Sequence, residues 1–257
     1  MQNPPLPSLD WCLFLDVDGT LVEFTESPQG GAADDTLKAL LARVRDKLNG
    51  AVALISGRRV EHLDALFAPL HLPAAGLHGT ERRDARGTWH GVGGIDPLLE
   101  PARARLADFI AQHPAAVLED KLRTLAIHYR AAPSLEGALR RLTGELAAAS
   151  GGRYHVQEGI MVFELKPVGF SKATAIAAFL DEDPFRGRMP VFIGDDLTDR
   201  DGFAVVEARG GLSIAVGGRV RAQRALDDPA AVHALLRAIA ALPAAGQRAA
   251  VSGPRTS

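Results

Sequence analysis

Short apolar runs alternate with segments of helical period along most of the chain. WCLFLDV (11–17), apolar up to Asp16, and GAVALIS (50–56) are runs of strand length, and AAGLHG (74–79) is a weaker third. Between them, DDTLKALLARVRDKL (34–48) and RRVEHLDALF (58–67) space their apolar residues for helices. The rhythm returns near the end of the chain. SKATAIAAFL (171–180) and RDGFAVVEA (200–208) predict helices, while MPVFIGD (189–195) and LSIAVG (212–217) predict strands. Strands alternating with helices imply an α/β protein with a Rossmann-like parallel sheet covered on both faces.

The middle of the chain breaks this rhythm. DPLLEPARARLADFIAQH (96–113) predicts a helix, and Pro101 suits a start near Glu100. Two strand-like runs follow, AAVLED (115–120) and LRTLAIHYR (122–130). A second helix, SLEGALRRLTGELAAAS (134–150), precedes two further strand-like runs, RYHVQE (153–158) and IMVFELK (160–166). Helix, two strands, helix, two strands describes a small α+β lid, inserted over residues 95–166 into a core made of 10–94 and 167–242. The tails, 1–9 and 243–257, are rich in proline, glycine and small residues and are expected to be flexible.

Composition narrows the class without naming a function. With 257 residues, 47% hydrophobic and 23% charged, the chain can bury a full core. A net charge of -2 supplies no general attraction to nucleic acid or to an anionic membrane. One cysteine, Cys12, excludes an internal disulfide and a multi-cysteine zinc site. The first residues lack the basic and apolar regions of a signal peptide, and no apolar run is long enough to span a bilayer. These readings lead to the expectation of a soluble, cytoplasmic protein.

The chemistry lies at four predicted strand ends. In LFLDVDGTLV (13–22), Asp16 and Asp18 interrupt an apolar run two residues apart, so a continuing strand would point both to one face. At about 5 Å and an effective dielectric of about 20, such a pair repels by on the order of 3 kcal/mol. Ser56 and Gly57 end the next strand before a helix, where a hydroxyl and open backbone suit an anion. Lys172 opens a helix, against the dipole, and Gly194, Asp195, Asp196 and Asp199 follow a fourth strand. Each has an ordinary alternative: a hairpin turn for the Asp-Gly pair, an N-cap for Ser56, a solvated lysine, and a capping cluster for the acids. Jointly they fall where ligands bind open α/β sheets, outside the carboxyl ends of the strands. Carboxylates, a lysine and a hydroxyl suit a hard divalent cation and a phosphate.

In this order DVDGT, SGR, the Lys172 segment and GDDLTD resemble the four motifs of the haloacid dehalogenase-like phosphatases. The resemblance implies that Asp16 is the nucleophile, forming an aspartyl-phosphate, and that Asp18 is the general acid and base. It implies Mg²⁺ held by Asp16, the Asp18 backbone carbonyl and Asp195, with Asp196 and Asp199 beside it as ligands or supports. Lys172 then offsets charge, and Ser56, Gly57 and Arg58 hold the phosphate.

Three further features resemble the trehalose-6-phosphate phosphatases: LEDKLRTLAIHYR (118–130), FELKPVGFSK (163–172) and the full GDDLTD (194–199). This implies that Glu119, Lys121 and Glu164 recognise the sugar, with His128 and Arg130 in the same segment and His78 as a further candidate. Leu77, Ala173 and Arg200 depart from the usual family residues without removing a catalytic group. The function implied is Mg²⁺-dependent hydrolysis of trehalose 6-phosphate, with a trehalose-6-phosphate synthase as the partner. Two alternatives stay open at this point. One is a lid-bearing phosphatase for another sugar phosphate or for mannosyl-phosphoglycerate; the other is a catalytically silent scaffold of a trehalose-synthesising enzyme.

Overall fold

The computed structural model describes residues 6–23, 31–91, 96–121 and 123–243. The expected start of the lid at residue 95 lies outside the described residues, as do most of both tails (1–5 and 244–257).

The core elements up to the lid are β1 (Trp11–Leu15), α1 (Asp35–Lys47), β2 (Val52–Ile55), α2 (Val60–Phe67), β3 (Ala74–Gly76), β4 (Glu81–Arg83) and β5 (Trp89–Gly91). The lid elements are α3 (Glu100–Gln112), β6 (Val117–Asp120), β7 (Leu125–His128), α4 (Glu136–Ala149), β8 (Tyr154–Gly159) and β9 (Val162–Pro167). The core resumes with α5 (Lys172–Leu180), β10 (Met189–Gly194), α6 (Arg200–Ala208), β11 (Leu212–Val216), β12 (Arg224–Leu226) and α7 (Pro229–Ala240).

Eight strands form the core sheet in the order β12-β11-β10-β1-β2-β3-β4-β5. It is parallel from β12 to β3, and β4 and β5 add an antiparallel edge. Every residue of β1, β2 and β11 is buried, so both faces of the sheet are covered. Helix α1 directs Leu37, Leu40, Leu41 and Val44 inward, the spacing of one helical face. Phe14 stacks on Phe185 at 5.4 Å and meets Phe179 at 6.1 Å, which ties β1 to the segment around α5. The α/β architecture with an inserted lid is the one expected from the sequence. The differences are at the margins: β4, β5, β12 and α7 are not among the elements read above, and the third strand stops at Gly76 rather than Gly79.

The lid sheet is antiparallel, in the order β6-β7-β9-β8. One face carries Leu125, Ile127, Phe163 and Leu165, which pack with Leu106 and Leu139 of α3 and α4 in a cluster separate from that of the core. Its other face is polar. The registers place Glu119 beside Ala126, Ala126 beside Glu164, and Glu164 beside Gln157, a row that crosses all four strands. Period-2 alternation thus gives the lid an oily side for its helices and a hydrogen-bonding side for something else.

Candidate functional site

β1 ends at Leu15, and Asp16 and Asp18 leave it in a tight turn rather than as a continuing strand. The Asp16 N–H still donates to the Ile193 carbonyl at 2.9 Å, which holds Asp16 beside β10. The Val17 carbonyl then accepts from Leu21 and Val22 at 2.8 and 3.0 Å, and Gly19 turns the chain with φ +82°. A Cβ on Gly19 would lie 2.3 Å from an Asp195 oxygen, so the close approach admits only glycine. The turn gives the two carboxylates different partners. Asp16 is buried, whereas Asp18 swings to Arg58, whose Nε and Nη2 donate to it at 2.7 and 2.5 Å. The repulsion expected between Asp16 and Asp18 therefore falls elsewhere.

It falls among Asp16, Asp195 and Asp199. All three are buried, and each offers an oxygen within 4.8 Å of the others. Lys172, first residue of α5 and itself buried, donates to Asp16 Oδ1 at 2.8 Å and to Asp199 Oδ1 at 2.7 Å. Burial, with Asp199 and Asp195 adding to it, raises the Asp16 carboxyl well above its ordinary range against the pull of Lys172. Burial and then Asp199 raise Asp195 to about 6. Burial works against the Lys172 charge, but Asp16 and Asp199 outweigh it and lift the lysine above its ordinary value. Three carboxylates around one lysine leave an excess of negative charge in a buried, all-oxygen donor set. That set fits a hard divalent cation.

The roles within the acidic loop divide. Asp199 is engaged through both oxygens, since its Oδ2 accepts from the Asp196 N–H at 2.9 Å while Lys172 takes Oδ1. Asp196 caps the turn Leu197–Asp199 that leads into α6 and is not in the cluster. Outside the cluster, Asp195 meets Thr20 Oγ1 at 3.3 Å and the more distant Arg219 guanidinium at 3.9 Å. Asp16 and Asp195 are thus the side chains most open to a cation, and Asp199 positions Lys172.

On the neighbouring strand end, Ser56 is buried and accepts from the Arg58 N–H at 3.1 Å. Gly57 lies against the His78 ring, where a Cβ would come within 2.8 Å. His78 sits in a turn after β3 in which Leu77 and His78 take φ of 50° and 54°. Left-handed backbone costs about 1–2 kcal/mol per non-glycine residue, so this turn is held by its surroundings. Those include the Ser56 carbonyl, which accepts from the His78 N–H at 2.9 Å. Burial lowers His78 to about 3, with Lys166, Lys172 and Lys121 adding to it against Glu164, so the ring is neutral at pH 7.

The lid's polar face meets the core here. Glu164 Oε2 lies 3.6 Å from His78 Nε2, and its Oε1 lies 3.5 Å from Lys121 Nζ and accepts from Thr124 at 2.8 Å. Lys121 also reaches Glu119 at 3.6 Å, and Glu119 pairs with His128 Nε2 at 3.0 Å. A chain of polar groups therefore runs from His128 through Glu119, Lys121 and Glu164 to His78. Arg130 is exposed in the turn after β7. A cleft of about 220 Å³ opens between lid and core, with His78, Lys166, Ser171 and Lys172 in its wall. Of these, Lys166 and Ser171 are absent from the candidates read above. Lys166 was legible, because it lies two residues after Glu164 in a strand and so shares its face.

A family model described as trehalose-phosphatase matches residues 14–230. A Sinorhizobium fredii protein described as a probable trehalose-phosphate phosphatase is 41% identical over 233 residues, 91% of this chain and 88% of its own. An Escherichia coli trehalose-6-phosphate phosphatase is 44% identical over 217 residues, 84% of this chain and 81% of its own. Among solved structures, one of a trehalose-6-phosphate phosphatase related protein superposes with a TM-score of 0.73 at 26% identity. That match covers 89% of this chain and 96% of the other.

Proposed function

The chain belongs to the trehalose-phosphatase family, and from that premise we propose that it hydrolyses trehalose 6-phosphate to trehalose and phosphate with Mg²⁺ as cofactor. The observation that carries this is one juxtaposition. The buried Asp16–Lys172–Asp199 cluster of a phosphate-transfer site lies under a lid face that offers carboxylates and ammonium groups to hydroxyls. An uncharged disaccharide presents only hydroxyls, and a site built to bond them rejects analogues that lack them.

Asp16 is the nucleophile in this reading. Its other oxygen forms a bond to phosphorus as the bond to the sugar oxygen breaks, giving an aspartyl-phosphate. Asp18 gives its proton to the departing sugar oxygen, then takes one from the water that attacks the phosphorus and frees Asp16. The bonds from Arg58 Nε and Nη2 suit Asp18 in its carboxylate form, the form that takes the proton from water in the second step. Lys172 holds Asp16 with Oδ1 engaged, and Ser56 with the Gly57 backbone receives the phosphoryl oxygens. A divalent cation on Asp16, Asp195 and the Asp18 carbonyl would offset the charge of a carboxylate meeting a phosphate dianion. A glucosyl transfer that makes the disaccharide phosphate must supply the substrate, and a trehalose-6-phosphate synthase is the partner proposed. Among the described residues no helix is long and apolar enough to cross a membrane.

Phosphate release from trehalose 6-phosphate, beside sucrose 6-phosphate, glucose 6-phosphate and p-nitrophenyl phosphate, tests the assignment. Release from the trehalose ester is expected to be far the fastest and to stop in EDTA. Silence on it with turnover of the others would sink the substrate. The acidic cluster also fixes how the cation acts on stability. Without it, the folded chain keeps Asp195 protonated up to about 6 and Asp16 above its ordinary range, whereas the unfolded chain releases these protons near 4. Stability therefore falls as pH rises through that window. Added Mg²⁺ should raise Tm more at pH 7.5 than at pH 5, and equal shifts would count against these ligands. In the lid, Glu119→Ala and Lys121→Ala should each cut kcat/KM for the trehalose ester by about tenfold or more and leave p-nitrophenyl phosphate nearly untouched. Equal losses on both esters would remove these residues from sugar recognition.

A further inference from the structure

Lys166 is a buried cation that meets no anion among the described residues. It projects from β9 on the Glu164 side and is 3% exposed. Its Nζ donates to Gln157 Oε1 at 3.0 Å, a neutral partner on β8. Lys121, in contrast, reaches Glu119 and Glu164, and Lys172 reaches Asp16 and Asp199. Other titratable groups face Lys166 from every side: Glu164 on its own strand, Lys172 on α5, Lys121 beyond β6, Asp201 on α6, His155 across β8 and His78 from the core. Burial, with Lys172 and Lys121 adding to it against Glu164 and Asp201, brings it down to about 8. An ammonium in this position is costly to the folded protein unless something else neutralises it.

The shape of the site says what that partner is. Lys166 and Gln157 line the cleft together with Ser171 and Lys172. Lys172 is already compensated by two carboxylates, so it carries little unspent charge toward a ligand. The sugar part of the proposed substrate is neutral, and its one anionic group is the phosphate. We infer that Lys166, with Gln157 beside it, forms an anion subsite carried by the lid that binds the phosphoryl group of the substrate. The inference rests on the phosphatase reading and adds to it a residue that ties the phosphate to the lid as well as to the core. Phosphate then bridges Lys166 above and Ser56 below, which couples lid closure to the presence of the group to be cleaved. Trehalose alone lacks that bridge, so the product leaves.

The test uses the full chain with its cation present and inorganic phosphate as probe. In K166M the unligated Tm should equal or exceed that of the wild type, because a poorly compensated buried charge is gone while the side-chain length is nearly kept. The Tm rise given by phosphate should be largely lost, and KM for p-nitrophenyl phosphate should rise about tenfold or more. K166R should keep phosphate protection. Wild-type KM should climb above pH 8 as the ammonium, brought down to about 8, loses its proton, and in K166R that climb should vanish. Equal phosphate protection in wild type and K166M, or none in the wild type, overturns the subsite. A wild type that hydrolyses no ester overturns the phosphatase reading separately, because the phosphate-protection comparison still decides Lys166.

Discussion

Asp16→Asn should lower turnover by at least about 10⁴-fold while the protein melts at or near the wild-type temperature. The loss is large because an amide oxygen is a poor nucleophile toward phosphorus, and no nearby carboxylate can replace it. Asp195 and Asp199 are close, but Asp199 is engaged by Lys172 and by the Asp196 N–H. Asp195 is bonded by Thr20 and packs closely against Gly19. The fold survives because the substitution removes one of three buried carboxylates and leaves Lys172 its bond to Asp199. Steady-state kinetics and a thermal melt on one preparation decide it. If the Asp16→Asn protein kept more than about one hundredth of wild-type turnover, Asp16 would lose the nucleophile's role, and full function would revive the silent-scaffold reading.

Lys172→Met should fail in both respects. It removes the single lysine from a cluster in which Asp16 and Asp199 are each bonded to it, and leaves buried carboxylates uncompensated. Breaking a buried pair from one side costs about 3–5 kcal/mol. The cost should be greatest near neutral pH and shrink toward pH 4–5, where Asp195, raised to about 6, takes up a proton. Turnover should drop by at least about 10³-fold, since Asp16 loses its orientation and the acids lose the ammonium bonded to them. Chemical denaturation at pH 7.5 and at pH 5 measures the first effect. If the Lys172→Met protein were as stable as the wild type at pH 7.5, the cluster would not depend on this charge. Lys166→Met supplies the contrast: of two buried lysines in one cleft, only Lys172 should lower stability when removed, because it is paired with carboxylates and Lys166 with a neutral amide.

The core was legible because its chemistry sits at boundaries that hydrophobic pattern marks well. Asp16, Ser56, Lys172 and Asp195 each follow or open an element of clear period, so their convergence could be argued before any coordinates. What pattern could not supply was direction within a turn. Asp18 is two residues from Asp16, yet the turn at Gly19 sends it to Arg58. The hairpin of β4 and β5 was illegible for another reason. Its residues, Glu81–Arg83 and Trp89–Gly91, lie at a sheet edge, mostly half-buried or exposed, and carry no apolar alternation. α7 differs again, with Asp228 as cap, Pro229 at its start and Val232, Leu235, Leu236 and Ile239 buried at helical spacing. Its pattern is complete in the sequence, from cap to buried face. In the lid, strand parity put Glu119 and Lys121 on one face and the family resemblance added Glu164, but whether the polar face looked at the core or at solvent depended on packing between two separate hydrophobic clusters.

The placement of β1 against β10 also orders the birth of the molecule. Asp16 and Lys172 meet across 156 positions of chain, and the lid lies wholly within that span. Lid contacts are short in sequence, with β8 paired to β9 through a tight connection and β6 to β7 likewise, and they enclose their own apolar cluster. Local contacts form quickly, whereas the β1–β10 ladder must wait for a long loop to close. A lid that has already condensed shortens that loop and brings β10 within reach of β1. The acidic cluster is therefore expected to form late in folding, after the local contacts of the lid. After dilution from denaturant, turnover should therefore return no sooner than the secondary structure of the lid, and turnover that returned first would reverse this order.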